Sequence, residues 1–595
     1  MDKKNSVLDG KSLYYSFLAG AQRIFDNQQL LNKMNVFPVA DADTGTNFAS
    51  TMRSIVETIE PSHSVKDTAA SIANAALIGA RGNSGIIFAQ FLYGFSNEIT
   101  SDKDITVDGF ADILKKSVKY AYEAITNPVE GTMITVIREW AEYIYSKKDT
   151  IKNFDDLFVL SIEKAKESLE QTKNQLQVLS KANVVDAGAK AFVLFLEGII
   201  EFFKQGIKIL LGARKAVKIE ELEAITHDDI TFRYCTEALI SGDKLNHERI
   251  RNDIALMGDS VVIAGSPQKT RIHIHTDDPS AVFYRLAKHG MIAYQKVDDM
   301  IFQNDVATMQ KPKVAIMTDS TSDIPKALQD KYKIHVVPLN VHFGQHYFLD
   351  GVSITGKQFL KMFQKAEEYP TTSQPSFKDF TNKYAYLFTQ YDSIIAMHIT
   401  SAMSGTWANS SKAADFIMAE SGKKADVIDT KKITGGLGLM VIRAAQMAEE
   451  GFSHEEIAAT ARTWPLKTKV FVTTTTVKYM VKSGRLSPMK GMIGKLLGVK
   501  PVVFVNDEGK GDTMAKAFTE KRTGKIVLNQ IKAVMETQKV WNYALTHFSN
   551  QSMVDWYAAE IKKLTGKDPL YITELTPVLS VHGGPGLVTI NVLAE

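Results

Sequence analysis

Hydrophobic periodicity switches twice along this chain, and the switches limit it to three kinds of folded unit joined end to end. Through residues 1–208 apolar side chains recur at helical spacing, as in Leu13–Phe25, Ile55–Ile59, Thr68–Ile78, Phe110–Ile125 and Leu157–Thr172. The breaks between them are short and carry Gly, Pro or Asn: Asn35–Asn47, Gly79–Gly85 and Asn127–Thr132. A fourth, Val184–Gly188, leads into the apolar stretch Ala189–Phe203. This pattern predicts an all-α helical bundle or barrel with its loops gathered at one end, where helical folds commonly bind ligands.

Residues 219–309 mix short β-like runs (Ile230–Cys235, Ser260–Ala264, Thr270–His275) with helical ones (His247–Met257, Ser280–His289), a small α+β unit. From 312 to 595 the runs Val314–Met317, His335–Leu339, Ser393–Ile399, Ala425–Ile428 and Lys469–Thr473 are rich in β-branched residues. They alternate with helical segments, which predicts a parallel α/β sheet in one domain or a pair of lobes with a cleft. The expected fold class is multi-domain, divided as 1–208, 219–309 and 312–595.

Charge and composition exclude several functions. Net charge is +3, from 70 basic and 67 acidic residues with no long run of one sign, so no nucleic-acid partner is expected. MDKKNSVLDGKSLYYSF has no apolar core of signal-peptide type. The most apolar stretch, Ala191–Phe203, is interrupted by Glu197 and Glu201 and is too short to span a bilayer. A cytoplasmic protein is expected, with no transmembrane segment and at most peripheral contact with membrane lipid. Its one cysteine, Cys235, rules out an intrachain disulfide.

The chemistry-bearing residues sit in the breaks. NVFPVADADTGTN places Asp41 and Asp43 one residue apart on a Gly-containing turn, able to face one hard cation such as Mg²⁺. Thr44, Gly45, Thr46 and Asn47 follow, offering N–H groups and hydroxyls to phosphate oxygens. Alone, this segment is equally a capped loop before a helix. GARGNSG, NPVEGTM and VVDAG add close backbone approach, so the set together suits a nucleotide with its cation. On a strand, His273 and His275 project from one face, and with Cys235 they make three ligands for a tetrahedral Zn²⁺ with an open fourth position. The bland alternative is a buried cysteine and a polar sheet face.

These loops resemble the DhaL-type nucleotide-binding domain of the dihydroxyacetone kinase and fatty acid kinase families, whose fatty acid kinase branch is typified by NVFPVPDGDTGTNM. The resemblance implies antiparallel helices holding ATP through two Mg²⁺ at the open end. By it Asp41 and Asp43 are metal ligands, with Asn35 near a third ligand position. Thr44, Thr46, Asn47, Ser84, Gly85, Thr132 and Asp186 then line the nucleotide site. Ala40 replaces the family's Pro, Ala42 its Gly, and Asn183 stands where Gly is common. FRYCTEALI and GDSVV…HIHTDDP resemble the middle domain of fatty acid kinase, where the Cys and both His form a functionally important metal-binding cluster.

The C-terminal region resembles the two-lobed DegV family of fatty-acid-binding proteins through VAIMTDSTSDIP, TTSQPS, SAMSGTWANS, KSGRLS and VHGGPG. From the residues alone, hydroxyls at Thr372, Ser373 and Ser404, the His582 imidazole and the Arg485 guanidinium could converge on an anion. The resemblance assigns Thr372, Ser404 and His582 to the acyl carboxylate and sets Arg485 where the phosphoryl group arrives. Thr589 departs from the family's usual Gly.

The expected reaction is ATP plus fatty acid giving ADP and acyl phosphate, by a fusion of kinase and binding subunits. Arg485, Cys235, His273 and His275 are its candidate catalytic residues, and a homodimer is expected from the resemblance. A small-polyol (glycerone) kinase competes, but those relatives carry GDGDHG where this chain has ADADTG, with Thr44 in place of His. A non-catalytic lipid-binding protein with a decayed nucleotide site is the other alternative, raised by Ala40 and Ala42.

Overall fold

A computed structural model describes residues 6–35, 44–59, 62–205, 230–308, 312–486 and 500–595. Asp41 and Asp43, with Ala40 and Ala42 beside them, lie outside the described residues. The chain forms two compact units, Met1–Asn304 and Asp305–Glu595.

The first unit opens with the helices α1 (Gly10–Asp26), α2 (Gln28–Lys33), α3 (Thr44–Thr58), α4 (Val65–Gly79) and α5 (Gly82–Glu98). There follow α6 (Val107–Ala124), α7 (Met133–Lys147), α8 (Phe154–Gln175), α9 (Gln177–Ala182) and α10 (Ala187–Gln205). A two-residue pair, β1 (Val7–Leu8) with β2 (Ile105–Thr106), fastens the start of α1 to that of α6. Each of the four small-residue breaks runs straight into a helix, and the break expected over Gly79–Gly85 contracts to Ala80 and Arg81. Gly, Ser and Asn are tolerated in a first turn because its N–H groups have no intrahelical partner to lose. The apolar α10 lies in the core. Phe192 and Phe195 on it meet Phe88 edge-on at 6.3 and 5.1 Å, and Phe192 meets Trp140 at 5.5 Å. Burial of each such ring contributes roughly 1.5–3 kcal/mol.

The same unit holds an antiparallel sheet of β3 (Tyr234–Ser241), β4 (Asp259–Gly265), β5 (Lys269–Thr276) and β6 (Met291–Asp299), in the order β4-β5-β3-β6. The strand expected at Ile230–Cys235 in fact begins at Tyr234 and runs through the buried Ala238–Ile240. β6 was not legible, because an edge strand half open to water carries polar residues such as Gln295, Lys296 and Asp298. The sheet is bonded to the helices. Thr126 donates its N–H and hydroxyl to the Val261 carbonyl, and the Gly265 N–H donates to Gln90 Oε1 at 2.8 Å.

In the second unit a parallel sheet runs in the order Lys424–Asp429, Ser393–His398, Val314–Asp319, His335–Val337. A second, six-stranded sheet contains Thr468–Thr473, Lys500–Val505 and Val588–Ala594 and is antiparallel except at one edge pair, Val540–His547 with Tyr571–Glu574. The expectation of a wholly parallel sheet fails here. Strands Lys500–Val505 and Gly511–Ala517 are joined by five residues, too few for the crossover a parallel pair needs. Helix Thr434–Glu449, buried along its first nine residues, shares one apolar cluster with strands of both sheets, including Ile395, Met397, Ala544 and Leu593. Among the described residues no helix is long and apolar enough to cross a membrane.

Candidate functional site

Helix starts meet at one end of the first unit. A Cβ placed on Gly82 would lie 2.6 Å from Asn47 Nδ2, and one on Gly188 would lie 2.4 Å from Ser84 Oγ. Only glycine allows α3, α5 and α10 to start this close together. Asp186 ties α10 to α7: its carboxylate accepts from the Ala189 N–H at 2.7 Å and also from the N–H groups of Gly188 and Met133. Burial pushes that carboxyl up to about 6, against the pull of those N–H bonds. Asn47, Ser84, Gly85 and Asp186 are thus brought together. Thr44 and Thr46 share the first turn of α3, where the Thr46 N–H donates to Asn32 Oδ1 at 2.9 Å. Thr132 precedes α7 but spends its hydroxyl proton on the Val129 carbonyl. Asn35 is buried. Asn183 takes the left-handed conformation, with φ 51°, that its Gly-like position requires. Grouped helix N-termini present N–H groups and positive dipole ends to an anion.

The middle sheet carries the second constellation. Register sets Cys235 opposite His275 and Glu237 opposite His273, so all four side chains occupy one face. Cys235 Sγ lies 3.8 Å from His273 Nδ1, and the two imidazoles stand 4.9 Å apart. The ligand atoms of Cys235, His273 and His275 all fall within 4.8 Å of one another, and all three residues are buried. His273 Nε2 is buried without a hydrogen-bond partner, and burial holds the ring neutral, the form a metal needs. Asp259 stands 3.5 Å from His275 Nδ1, the place of an orienting carboxylate. These donors fit a Zn²⁺ with one open position.

Glu237 was not singled out from the sequence. Its Oε1 accepts the Gly82 N–H at 2.5 Å and its Oε2 accepts from Arg271 at 3.0 Å, both side chains being 1% exposed. The signal was the alternation Cys235-x-Glu237 against His273-x-His275, readable only once the strands are in register.

In the second unit a cavity of about 380 Å³ has walls of Val472, Val503, Val505, Leu575, Leu579 and Leu587. Thr372, Ser373, Ser404, Arg485 and His582 all line it. Thr372 Oγ1 is 3.0 Å from His582 Nε2, and Ser404 Oγ is 2.8 Å from Thr406 Oγ1. Burial, aided by the Arg485 charge, brings the His582 imidazole down to about 4, so it is neutral at pH 7. The Ser373 hydroxyl is engaged by His342 and Asn340 instead. Arg485 is exposed and bonds the Ser483 carbonyl. Thr589 joins Thr434, Thr546 and Asn591 in a buried hydroxyl network reaching Asp323.

One further arrangement has the residue types of a serine hydrolase. Asp319 Oδ2 lies 3.0 Å from His398 Nδ1, and His398 Nε2 lies 2.8 Å from Ser410 Oγ. All three are 0% exposed, and the Tyr384 hydroxyl sits 2.7 Å from Ser410. It is a core network.

Three family models match the chain: the DAK2 domain over residues 38–201, a fatty acid kinase-like middle domain over 231–306, and the DegV family over 313–595. The chain has the domain make-up of a fused fatty acid kinase. An uncharacterized protein of Staphylococcus epidermidis is 33% identical over 332 residues, covering 53% of this chain and 60% of that protein. One from Staphylococcus aureus is 33% identical over 308 residues, covering 50% and 56%. The chain thus spans less than two thirds of the length of these relatives. Among solved structures, a DegV family protein from Thermus thermophilus described as fatty acid binding has 27% identity and a TM-score of 0.44, covering 48% of this chain and 100% of that one. A fatty acid binding DegV family protein from Streptococcus agalactiae has 26% identity and a TM-score of 0.44, covering 48% and 99%.

Proposed function

We propose that the chain transfers the γ-phosphoryl group of ATP to a fatty acid carboxylate, giving ADP and an acyl phosphate. The observation that carries this reading is the second unit's cavity, walled by aliphatic side chains and lined also by Thr372, Ser404 and His582. It suits a long alkyl chain with one anionic end. A fatty acid carboxylate is already ionised at pH 7, so the reaction needs no general base. It needs the nucleophile placed in line and the gathering charge neutralised.

Each residue then has a task. With its proton on Nε2, the neutral His582 donates to Thr372 and leaves the Thr372 proton free for the carboxylate. Hydroxyls and a neutral imidazole fix the carboxylate without quenching it in an ion pair. Arg485 is the residue to meet the incoming phosphoryl group. The starts of α3, α5 and α10 cradle the ATP phosphates with backbone N–H groups. Asp41 and Asp43, with Asn35, would hold Mg²⁺, which neutralises charge on the transferring group. Cys235, His273 and His275 hold their metal beside this site, and the three expected domains divide the work as nucleotide, metal and lipid binding.

Incubation of the full chain with labelled ATP and oleate should give a product trapped by hydroxylamine as the hydroxamate; its absence rejects the kinase reading. Thr372→Val and His582→Ala should each lower oleate affinity about tenfold or more, since each removes a hydrogen bond to, or supporting, a charged group. Neither should alter ATP affinity, and unchanged oleate retention in both would reject the assigned carboxylate end.

A further inference from the structure

We propose that Glu237 is a positioning residue that ties the Cys235–His273–His275 cluster to the start of α5, so that a metal at the first and a nucleotide at the second bind cooperatively. The inference rests on the nucleotide reading of the first unit given above.

A buried carboxylate persists only where partners satisfy it, and Glu237 draws its partners from two separate elements. On its own sheet it faces Arg271 at 3.0 Å and His273 Nδ1 at 3.8 Å; from the helical part it receives the Gly82 N–H at 2.5 Å. Gly82 opens α5 with a left-handed φ of 60°, and its Cα sits against Asn47 of α3. Glu237 therefore grips the one residue whose backbone sets how α5 begins. A second link runs alongside it. The Arg81 guanidinium lies 5.9 Å from the Tyr294 ring, which the Arg271 guanidinium covers at 4.5 Å.

The cluster end is equally direct. Glu237 and Cys235 lie two residues apart on β3, which pairs with β5 on one side and β6 on the other, so their spacing cannot slip. His273 Nδ1 stands 3.8 Å from both Cys235 Sγ and Glu237 Oε1, while its Nε2 has no partner. A metal that engages His273 fixes the ring, and with it the carboxylate that holds Gly82. Stability does not explain the arrangement. Arg271 keeps two buried N–H groups, on Nε and Nη1, without hydrogen-bond partners, and apolar residues of like volume would serve a core better.

Such coupling is reciprocal. The full chain, stripped of metal by a chelator and reloaded with Zn²⁺, is titrated with Mg·ADP by calorimetry. Zinc should tighten wild-type affinity about fivefold or more, and Mg·ADP should raise zinc affinity by the same factor. In Glu237→Gln the zinc effect should fall below about twofold while zinc content stays near wild type. Hydrogen exchange on the wild-type chain needs no variant: zinc should slow the peptide covering residues 79–85. Equal Mg·ADP affinity with and without zinc, a wild-type ratio in Glu237→Gln, or unchanged exchange overturns the inference alone. Absence of Mg·ADP binding in either state overturns the kinase reading and this inference with it.

Discussion

Gly82→Ala should weaken Mg·ADP binding about thirtyfold and lower the chain's stability by about 1–2 kcal/mol. Two physical effects add. A left-handed backbone costs an L-residue roughly 1–2 kcal/mol, and Gly82 has φ 60°. The new Cβ would also arrive 2.6 Å from Asn47 Nδ2, displacing a side chain assigned to the nucleotide. The Asn47 amide is the far end of a flexible side chain, so the fold survives by moving it and the binding site takes the damage. Gly82→Asn separates the effects, since Asn tolerates the left-handed region yet brings the same Cβ. It should melt nearer wild type while binding Mg·ADP as poorly as the alanine variant. Calorimetric titration with a thermal melt measures both, and wild-type affinity in either variant would remove this helix start from the nucleotide site.

Asp323→Asn should flatten the pH dependence of stability. Burial raises the Asp323 carboxyl to about 7, and the nearby Asp350, itself raised by burial to about 6, adds to it. An unfolded aspartate titrates near 3.9, so between these values the folded chain binds the proton more tightly. The stabilisation is complete below the unfolded value and is lost as pH rises through 7. From pH 5 to pH 8 this amounts to about 3 kcal/mol. Asparagine keeps an acceptor for the Thr576 N–H, and its amide can donate to Thr434, whose hydroxyl has Thr546 as another partner. Denaturant melts at pH 5 and pH 8 should show the wild type losing stability and the variant losing half as much or less. A variant that keeps the full wild-type slope would place the titration elsewhere.

What could be read from sequence followed the physics of each signal. Helices of the first unit were legible because one buried face repeats every 3.6 residues, and α10 because it is buried nearly all round. His273 and His275 were legible because a strand's period is fixed at two. β6 was not, because an edge strand does not need an apolar pattern. Glu237 was not, because its role depends on which residue of β5 and which helix start face it, facts of register and packing. Thr372 and Ser373 were indistinguishable as neighbouring hydroxyls until the structure turned one toward His582 and the other toward His342. The metal carboxylates Asp41 and Asp43 remain a reading of the sequence.

The line Asp319–His398–Ser410 shows what separates a reactive serine from an inert one. Ser410 Oγ is within hydrogen-bond distance of both His398 and Tyr384, so its proton and its lone pair are both occupied. No acyl or phosphonyl centre could approach it without first displacing the tyrosine from a sealed interior. A fluorophosphonate reagent that titrates serine hydrolases will therefore leave the folded chain unlabelled, because reactivity belongs to the doorway as much as to the three residues behind it.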